Sequence, residues 1–415
     1  MKKAIYVIFV ITGLFMAMAC TKSTSSVKPI LTREFQVGAL LPLSGAGDIS
    51  GRTTSTALSI AAEEINKYFQ ELGSDLRVKL FIEDTQTDPS VALEKLKLLH
   101  QKGIKIIIGT YSSSEAAACK PFADQNNILM ISQSSESQSL AIPGDNLFRL
   151  IPPVSKQAEA MVKMMQADTI LAVFPMVRDD VWGTELFSGF ATLFSKAGFY
   201  VGDRVLYATT TTEFSGFLNT LDGIVALGFV PYNPKRIAVY LISFSEGETI
   251  LAQAGNYTSL NQVKWYGSSS FAQNSNVLQN SRAATFAITH RGISSPVLGL
   301  EEGARDKWQL LDEQIFAISN DHPDIFSLIA YDILWLAAKT QWMCDYGNGI
   351  EQFKTAFTLQ ADQFYGATGR TTLDENGDRA YGNFDFWSIR QDAAKYIWSR
   401  EAVYNTATGQ LVRFP

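Results

Sequence analysis

The feature that most constrains the fold is an alternation of short, continuously apolar segments with longer amphipathic ones, which runs through the chain twice. The first series contains "FQVGALLPL", "RVKLFIED", "IKIIIG" and "ILMIS"; the second begins at residue 169 and contains "TILAVF", "FYVGDRVLY", "RIAVYLIS" and "VKWYGSS". Strands that are apolar along their whole length and separated by helices are typical of a parallel sheet covered on both faces. The sequence therefore predicts an α/β fold with two doubly wound parallel-sheet lobes.

The C-terminal third of the chain lacks a complete third α/β unit. A long helix is predicted from Asp324 to Cys344, because its large apolar residues recur at the helical spacing that faces a core. The later segment "QFYGATGRTTLDENGDRAYGNFDFWSI" is predicted to be a turn-rich hairpin. We expect both elements to pack back onto the two lobes, which are linked by the segment "LFRLIPPVSKQ".

The N-terminus has the composition of an export signal. Lys2 and Lys3 precede an apolar run from Ala4 to Met18, and small residues follow before Cys20. We interpret residues 1–19 as a signal peptide, since the run is shorter than the ~20 residues of a permanent membrane span. The polar residues 20–34 suit a flexible tether. The segment resembles a bacterial lipoprotein signal, which implies a lipid anchor on Cys20; the alternative is plain secretion after cleavage.

Composition limits the classes of partner. The remaining part of the chain, about 380 residues, is long enough for two domains. A net charge of -6 and a pI near 5.3 argue against a nucleic-acid partner, since phosphate binding needs a basic surface. Cys119 lies among alanines of a predicted helix, so buried free thiols are favoured over a pairing with Cys344.

Motifs for catalysis or metal binding are weak. Gly45, Gly47 and Gly51 miss the dinucleotide-binding spacing by one residue, and no G-x-S-x-G nucleophile elbow occurs. The three histidines are isolated from one another, and in "DENGDR" the glycine position of a calcium loop is occupied by Arg379. We therefore expect no enzymatic activity, no catalytic residues, no cofactor and no metal.

Hydroxyl groups are concentrated where two successive strands end, in "GTYSSSE" and "QSSESQS". Ser112 and Glu115 have the spacing of a capping box, which leaves the first amides of the helix pointing into the loop with the positive end of the helix dipole behind them. Glu136 adds one carboxylate to the second loop. Donors for a negative group and an acceptor for a positive group suit a zwitterion. The alternative is that these serines only cap helices and bind water.

Three segments carry a resemblance to a known family: "VGALLPLSGAGDISGRTTSTALSIAAEEIN", "IEDTQTDPSVALEKLKLL" and "GIKIIIGTYSSSEAAACKPFADQNNILMIS". They are similar to the leucine/isoleucine/valine-type periplasmic binding proteins, the type I solute-binding components of ABC importers. The resemblance returns at "GATGRTTLDENGDRAYGNFDFW". It implies two α/β lobes joined by a three-segment hinge and closing on a ligand. Lobe 1 would comprise residues 35–152 plus 292–386, and lobe 2 residues 153–291 plus 387–415.

The resemblance also implies a ligand site between the lobes. Ser113 matches the hydroxyl that binds the ligand carboxylate, and Ser134 and Glu136 match the groups that hold the α-amino group. Trp182 and Phe244 match aromatic positions of lobe 2 that cover the ligand. The full set of implied ligand-binding residues is Ser50, Tyr111, Ser112, Ser113, Ser134, Ser135, Glu136, Trp182, Phe244, Ser269 and Phe326.

One position departs from the family pattern. Ser269, in "VKWYGSSS", stands where the family presents a glutamate to the ligand ammonium group. A buried ammonium without a counter-charge costs several kcal/mol, so the missing acid must be replaced or the ligand must lack an amine. Our hypothesis is that Glu136 supplies the charge from the opposite lobe. The competing interpretation is an uncharged or purely anionic ligand, for which Trp182 and Tyr111 offer flat apolar surfaces.

The resemblance implies capture without chemistry. We expect an exported monomer that binds a small-molecule ligand by lobe closure, reaches the membrane only through its lipid anchor, and delivers the ligand to an ABC permease complex. A ligand-sensing module for a signalling partner remains the alternative.

Overall fold

The computed structural model describes residues 32–414 of the chain. The predicted signal peptide, Cys20 and the tether up to residue 31 lie outside the described residues. Within 32–414, no helix has both the length and the apolar character needed to cross a membrane. The same residues contain no group of His, Cys, Asp and Glu side chains placed to hold a metal ion.

The first series of apolar segments forms a five-stranded parallel sheet. Its strands are β1 (Arg33–Leu41), β2 (Leu76–Asp84), β3 (Ile106–Ile108), β4 (Leu129–Ser132) and β5 (Leu147–Arg149). The connecting helices are α1 (Asp48–Glu71), α2 (Pro89–Gln101) and α3 (Ser113–Gln125). The strand order β2-β1-β3-β4-β5 is doubly wound, and the order reverses between β1 and β3. Ligands of open α/β sheets bind in the crevice at the carboxyl ends of such strands.

The second series forms another parallel sheet. Its elements are α4 (Val154–Ala167), β6 (Ala172–Asp179), α5 (Val181–Lys196), β7 (Tyr200–Val201), β8 (Val205–Ala208), α6 (Ser215–Gly228), β9 (Ile237–Ile242), α7 (Gly247–Ala254), β10 (Lys264–Gly267), α8 (Ser275–Gln279) and α9 (Ser281–Thr289). Strands β10, β9 and β6 are neighbours in that order, and β7 and β8 both pair with β6. The predicted α/β fold with two parallel sheets is confirmed.

The C-terminal third adds long helices and an antiparallel sheet. Its elements are β11 (Ser295–Leu298), α10 (Arg305–Ser319), α11 (Ile325–Met343), α12 (Ile350–Gln363), β12 (Tyr365–Gly366), β13 (Gly369–Arg370), β14 (Phe384–Asp392), β15 (Lys395–Asn405) and β16 (Gln410–Arg413). Strands β11, β14, β15 and β16 form one sheet in that order, and β12 and β13 form a separate hairpin.

The continuous apolar character of the strands follows from burial on both faces. Ile106 and Ile108 of β3 pack in a core that includes Leu58 of α1 and Ile329 of α11. Ile107, between them, packs on the opposite face with Leu96 of α2 and other helix residues. Successive side chains of a strand point to opposite faces, so a run of three isoleucines requires cover on both.

Two predictions for individual elements need correction. The segment "FYVGDRVLY" is two short strands rather than one, because Gly202 lies against the ring of Phe174 and the chain shifts its pairing along β6 there. The C-terminal segment is more than a hairpin, since β14 continues into a four-stranded sheet. The predicted long helix is confirmed as α11, and Cys119 and Cys344 are free thiols.

The predicted lobe boundaries remain a prediction. The boundary between residues 386 and 387 falls inside β14, where the pairing with β15 shifts register between Phe386 and Trp387.

Candidate functional site

The two serine-rich loops lie side by side at the carboxyl ends of β3 and β4, which are paired in parallel. The hydroxyl of Ser134 donates to the carbonyl oxygen of Tyr111 at 2.8 Å. The amide of Ser137 donates to the hydroxyl of Ser113 at 3.1 Å. Each loop therefore orients the other, and both face the crevice where the strand order reverses.

The capping box at the start of α3 is confirmed. Ser112 accepts from the amide of Glu115 at 3.2 Å, and the Glu115 carboxylate accepts from the amide of Ser112 at 2.7 Å. The reciprocal pair fixes the first turn of the helix, whose remaining amides carry the positive end of the dipole. This end of α3 suits a negative group of a ligand.

Several loop hydroxyls have structural partners. Ser132 donates to the carbonyl of Thr110 at 2.8 Å, and Ser135 donates to the carbonyl of Ser112 at 3.2 Å. Both serines thus satisfy buried backbone oxygens of the other loop, which would otherwise lose their hydrogen bonds on folding. For Ser135 the structure therefore supports the alternative interpretation, in which the hydroxyl group stabilises the loop instead of binding a ligand.

A buried ion pair, which the sequence interpretation did not include, holds the second loop. Arg149, at the end of β5, donates to the carbonyls of Ser135 at 3.0 Å and Ser137 at 2.5 Å. Its other nitrogens bind both carboxylate oxygens of Asp378 at 2.6 and 2.5 Å. Burial raises the pKa of Asp378 to about 6, while the guanidinium opposes that shift. The "DENGDR" turn therefore supports the loop that carries Glu136.

Glu136 is the point at which three donors converge. One of its carboxylate oxygens, Oε2, accepts from Ser269 Oγ at 2.9 Å, from Trp182 Nε1 at 3.0 Å and from Gln157 Nε2 at 3.3 Å. All three donors belong to the predicted lobe 2, whereas Glu136 belongs to the predicted lobe 1. Burial raises the pKa of Glu136 to about 7, and the three hydrogen bonds act in the opposite direction.

Ser269, the position that departs from the family pattern, contacts Glu136 directly. Gln157, a residue of α4 that the sequence interpretation missed, connects them further. Its amide nitrogen donates to Ser269 Oγ at 2.8 Å and its amide oxygen accepts from the Ser269 amide at 3.2 Å. Gln157 ends the linking segment "LFRLIPPVSKQ", for which no helix was predicted, and its polar sequence neighbours carry no signal of burial.

Four aromatic rings close the crevice. Tyr111 contacts Phe244 and Phe326 with ring centroids 5.6 and 6.0 Å apart, and Trp182 lies 5.0 Å from Phe244. The guanidinium of Arg178 lies 4.4 Å above the ring of Phe244, a cation–π geometry. Rings from both predicted lobes therefore meet directly over the serine loops.

Two small cavities lie along this contact. The inner cavity, a gap too narrow for a water molecule, is lined by Tyr111, Ser112, Ser113, Ser134, Trp182, Phe244 and Ser270. The outer cavity has a volume of about 50 Å³. Its walls include Ser50, Tyr111, Ser270 and Asp324. Burial raises the pKa of Asp324, which caps α11.

The predicted site residues therefore separate into two groups. Ser50, Tyr111, Ser112, Ser113, Ser134, Trp182 and Phe244 line one or both cavities. Ser135, Glu136, Ser269 and Phe326 lie behind these walls and are buried. Glu136 is covered by the Trp182 indole that donates to it. Ser270 and Asp324 were missed, although the predicted long helix begins at Asp324.

Further hydrogen bonds join the predicted lobes at the rim. Ser245 Oγ donates to the carbonyl of Ala46 at 2.7 Å. Ser137 Oγ donates to the carboxylate of Glu185 at 2.5 Å. Together with the ring contacts, these bonds make the crevice closed in this structure. A ligand of more than a few atoms enters only when the rings and rim contacts separate.

Known proteins are similar to this chain in sequence. A protein of Methanocaldococcus jannaschii is 27% identical over 97% of both chains. The Leu/Ile/Val-binding protein homolog 6 of Brucella suis is 23% identical to this chain over the matched segment. The match covers 49% of this chain and 52% of that relative, so it spans about half of each.

Solved structures share the fold. A leucine binding protein of Thermotoga maritima superposes with a TM-score of 0.74 at 19% identity, covering 90% of this chain and 99% of that one. A solute binding protein of an ABC transporter from Rhodopseudomonas palustris, solved with 3,4-dihydroxybenzoic acid, superposes with a TM-score of 0.72 at 14% identity, covering 90% of this chain and 97% of that one.

The profile of the receptor family ligand binding region matches residues 53–392, which include strands β2 to β10 and the residues beyond position 52 that line the two crevice cavities. The chain belongs to this family of type I periplasmic binding folds.

Proposed function

We propose that this chain is an extracytoplasmic solute-binding lipoprotein, anchored through Cys20, which captures an amino acid between two closing lobes and delivers it to an ABC importer. The family membership and the likeness to amino-acid-binding structures support a solute-binding role. The proposed action is binding by a monomer, with no catalytic step.

One observation carries the assignment of the ligand class. Glu136 of the predicted lobe 1 receives three hydrogen bonds, all from the predicted lobe 2. These donors are lost when the lobes separate, and the Glu136 carboxylate then lies beside the serine loops without them. A ligand ammonium group would replace them as the partner of Glu136. The amides at the start of α3 lie on the adjacent loop and suit the ligand carboxylate.

Closure would then follow from ligand contacts on both sides of the crevice. A ligand shifts a two-state equilibrium only by its difference in affinity for the two states. Serine and amide groups of lobe 1 would hold the ligand first. Trp182 and Phe244 of lobe 2 would then exclude water from it, which strengthens the charge interactions inside.

Calorimetric titration of the purified protein with a panel of amino acids tests this proposal. The wild type is expected to bind at least one zwitterionic amino acid, and Glu136→Gln to weaken that binding by about 100-fold, the effect of leaving a buried ammonium unpaired. Asp324→Asn is the matched variant, because Asp324 is a second carboxylate at the crevice whose pKa is raised by burial. The proposal for Glu136 is wrong if Asp324→Asn abolishes binding and Glu136→Gln does not.

A second candidate ligand class is an aromatic acid without an amine. The aromatic walls of the crevice favour it, and so does the raised pKa of Glu136, since a protonated carboxyl group donates a hydrogen bond to an anion. Titration with benzoate and its hydroxylated derivatives in the same experiment distinguishes the two classes. If the protein binds these acids and none of the amino acids, the ligand class is the aromatic acid.

A further inference from the structure

A large cavity lies apart from the crevice, between the helices of the C-terminal third and the antiparallel sheet. We call it the rear cavity; its walls are formed by α8, β11, α10, α11, β14 and β15. Its volume is about 670 Å³, within the roughly 300–1,000 Å³ of pockets that hold small organic ligands. Gln273 and His322 line both the rear cavity and the outer cavity. The other residues of the rear cavity do not line the outer one.

The walls of the rear cavity are mainly aromatic and aliphatic. Trp308, Phe316, Trp387 and Trp398 contribute rings, and residues such as Leu298 contribute aliphatic groups. The described residues leave this apolar surface unfilled, and part of it, such as the Phe316 ring, is exposed. An occupant with a flat or branched apolar body would remove this surface from water, which favours its binding.

The charges in the walls are already paired. The four carboxylates there are Glu302, Asp312, Asp321 and Asp385. Arg400 binds Asp385 at 2.7 Å and Glu302 at 3.0 Å, and Arg305 binds Glu302 at 2.7 Å. Asp312 contacts His322, and Asp321 contacts Arg52. An anionic occupant would meet an excess of carboxylates, and a cationic one would find each carboxylate already bound. The walls therefore favour an uncharged molecule.

Three side-chain donors of wall residues have no acceptor among residues 32–414. They are the hydroxyl Oγ of Ser275, the indole Nε1 of Trp308 and the Nε of Arg400, all buried atoms. A buried donor without a partner destabilises the folded protein, so an occupant with an acceptor oxygen would relieve that cost.

We propose that the rear cavity is a second ligand site, which takes an uncharged aromatic or branched apolar molecule carrying a carbonyl oxygen. The apolar body fills the space between the tryptophan rings, and the carbonyl accepts from Trp308. This site is separate from the amino-acid crevice and does not depend on that function.

Two probes that differ only in the acceptor test the proposal. Acetylnaphthalene carries a carbonyl, and ethylnaphthalene has nearly the same shape without one. Calorimetry is expected to show wild-type binding of both, with the ketone about fivefold tighter, as one hydrogen bond of ~1 kcal/mol predicts. Trp308→Phe removes the donor and should make the two affinities equal. The matched control Trp342→Phe changes a tryptophan of α11 that is 47% exposed and lies outside the cavity, and should keep the preference.

A filling variant provides independent evidence if Trp308→Phe folds poorly. Leu278→Trp places a larger side chain in the cavity from α8 and should reduce binding of both probes by at least about tenfold. Three results would overturn the proposal: no binding of either probe by the wild type, binding that both variants leave unchanged, or binding that is lost in Glu136→Gln and therefore occurs in the crevice. Amino-acid titrations on the same variants report on the crevice separately.

Discussion

The two loops that meet at the crevice are held in different ways. The loop after β3 is fixed locally, since its capping box joins Ser112 to Glu115, three residues away. The loop after β4 is fixed by Arg149 and by Asp378, which is 229 residues from Arg149 in the sequence. Local contacts orient helix amides toward the site, whereas a distant ion pair positions the carboxylate. The donor half of the site therefore depends on a short motif, and the Glu136 half depends on the completed fold.

Arg149→Met tests the distant support and should have the largest effect. The change leaves the buried carboxylate of Asp378 without its partner and frees two loop carbonyls, so the free energy of unfolding should fall by about 3–5 kcal/mol. Urea denaturation measures it. Arg52→Met is the matched control, because Arg52 is about half exposed and pairs with Asp48 on the surface; its loss should cost less than about 1 kcal/mol. Equal effects of the two changes would contradict the account of the second loop.

Glu136→Gln tests the electrostatic state of the same loop in the ligand-free protein. The folded-state pKa of Glu136 is raised from 4.5 to about 7, so folding favours the protonated form. The stabilising contribution of Glu136 is the difference in the free energy of unfolding between the wild type and the variant, and it is fully present below pH 4.5. This difference falls by about 3 kcal/mol as the pH rises from 4.5 to 7. Denaturation curves of both proteins at pH 4.5 and pH 8 measure this difference. A difference that does not change with pH would show that the Glu136 pKa is not raised.

Ser112→Ala tests the local support and should have the smallest effect. Loss of the cap should lower the free energy of unfolding by about 1 kcal/mol, because α3 loses one capped amide. Ser114→Ala, in the first turn of the same helix, makes no such bond and should be nearly neutral. If Ser114→Ala proves as costly as Ser112→Ala, the capping box is not what fixes this loop.

The difference between local and distant contacts also explains which parts of the structure can be predicted from the sequence. Strands β1 to β4, their helices and the capping box follow from apolar runs and from spacings of a few residues, and the structure contains them. The antiparallel sheet around β14 and β15 was missed, since its pairing joins β11 to a strand some 90 residues later. Ser269 was singled out from the family pattern, but its contact with Glu136 depends on how distant segments pack. Arg149 carries no local signal beyond being polar in apolar surroundings, and Gln157 carries none.

The pH dependence of amino-acid affinity tests the central claim most directly. The wild type and Glu136→Gln are titrated calorimetrically with the tightest-binding amino acid between pH 5 and pH 8. If ionised Glu136 holds the ammonium group, wild-type affinity rises by up to about tenfold per pH unit below the pKa near 7 and then levels off, while the variant binds weakly at every pH. Wild-type affinity that is constant or falls with rising pH, with tight binding by the variant, would contradict the account.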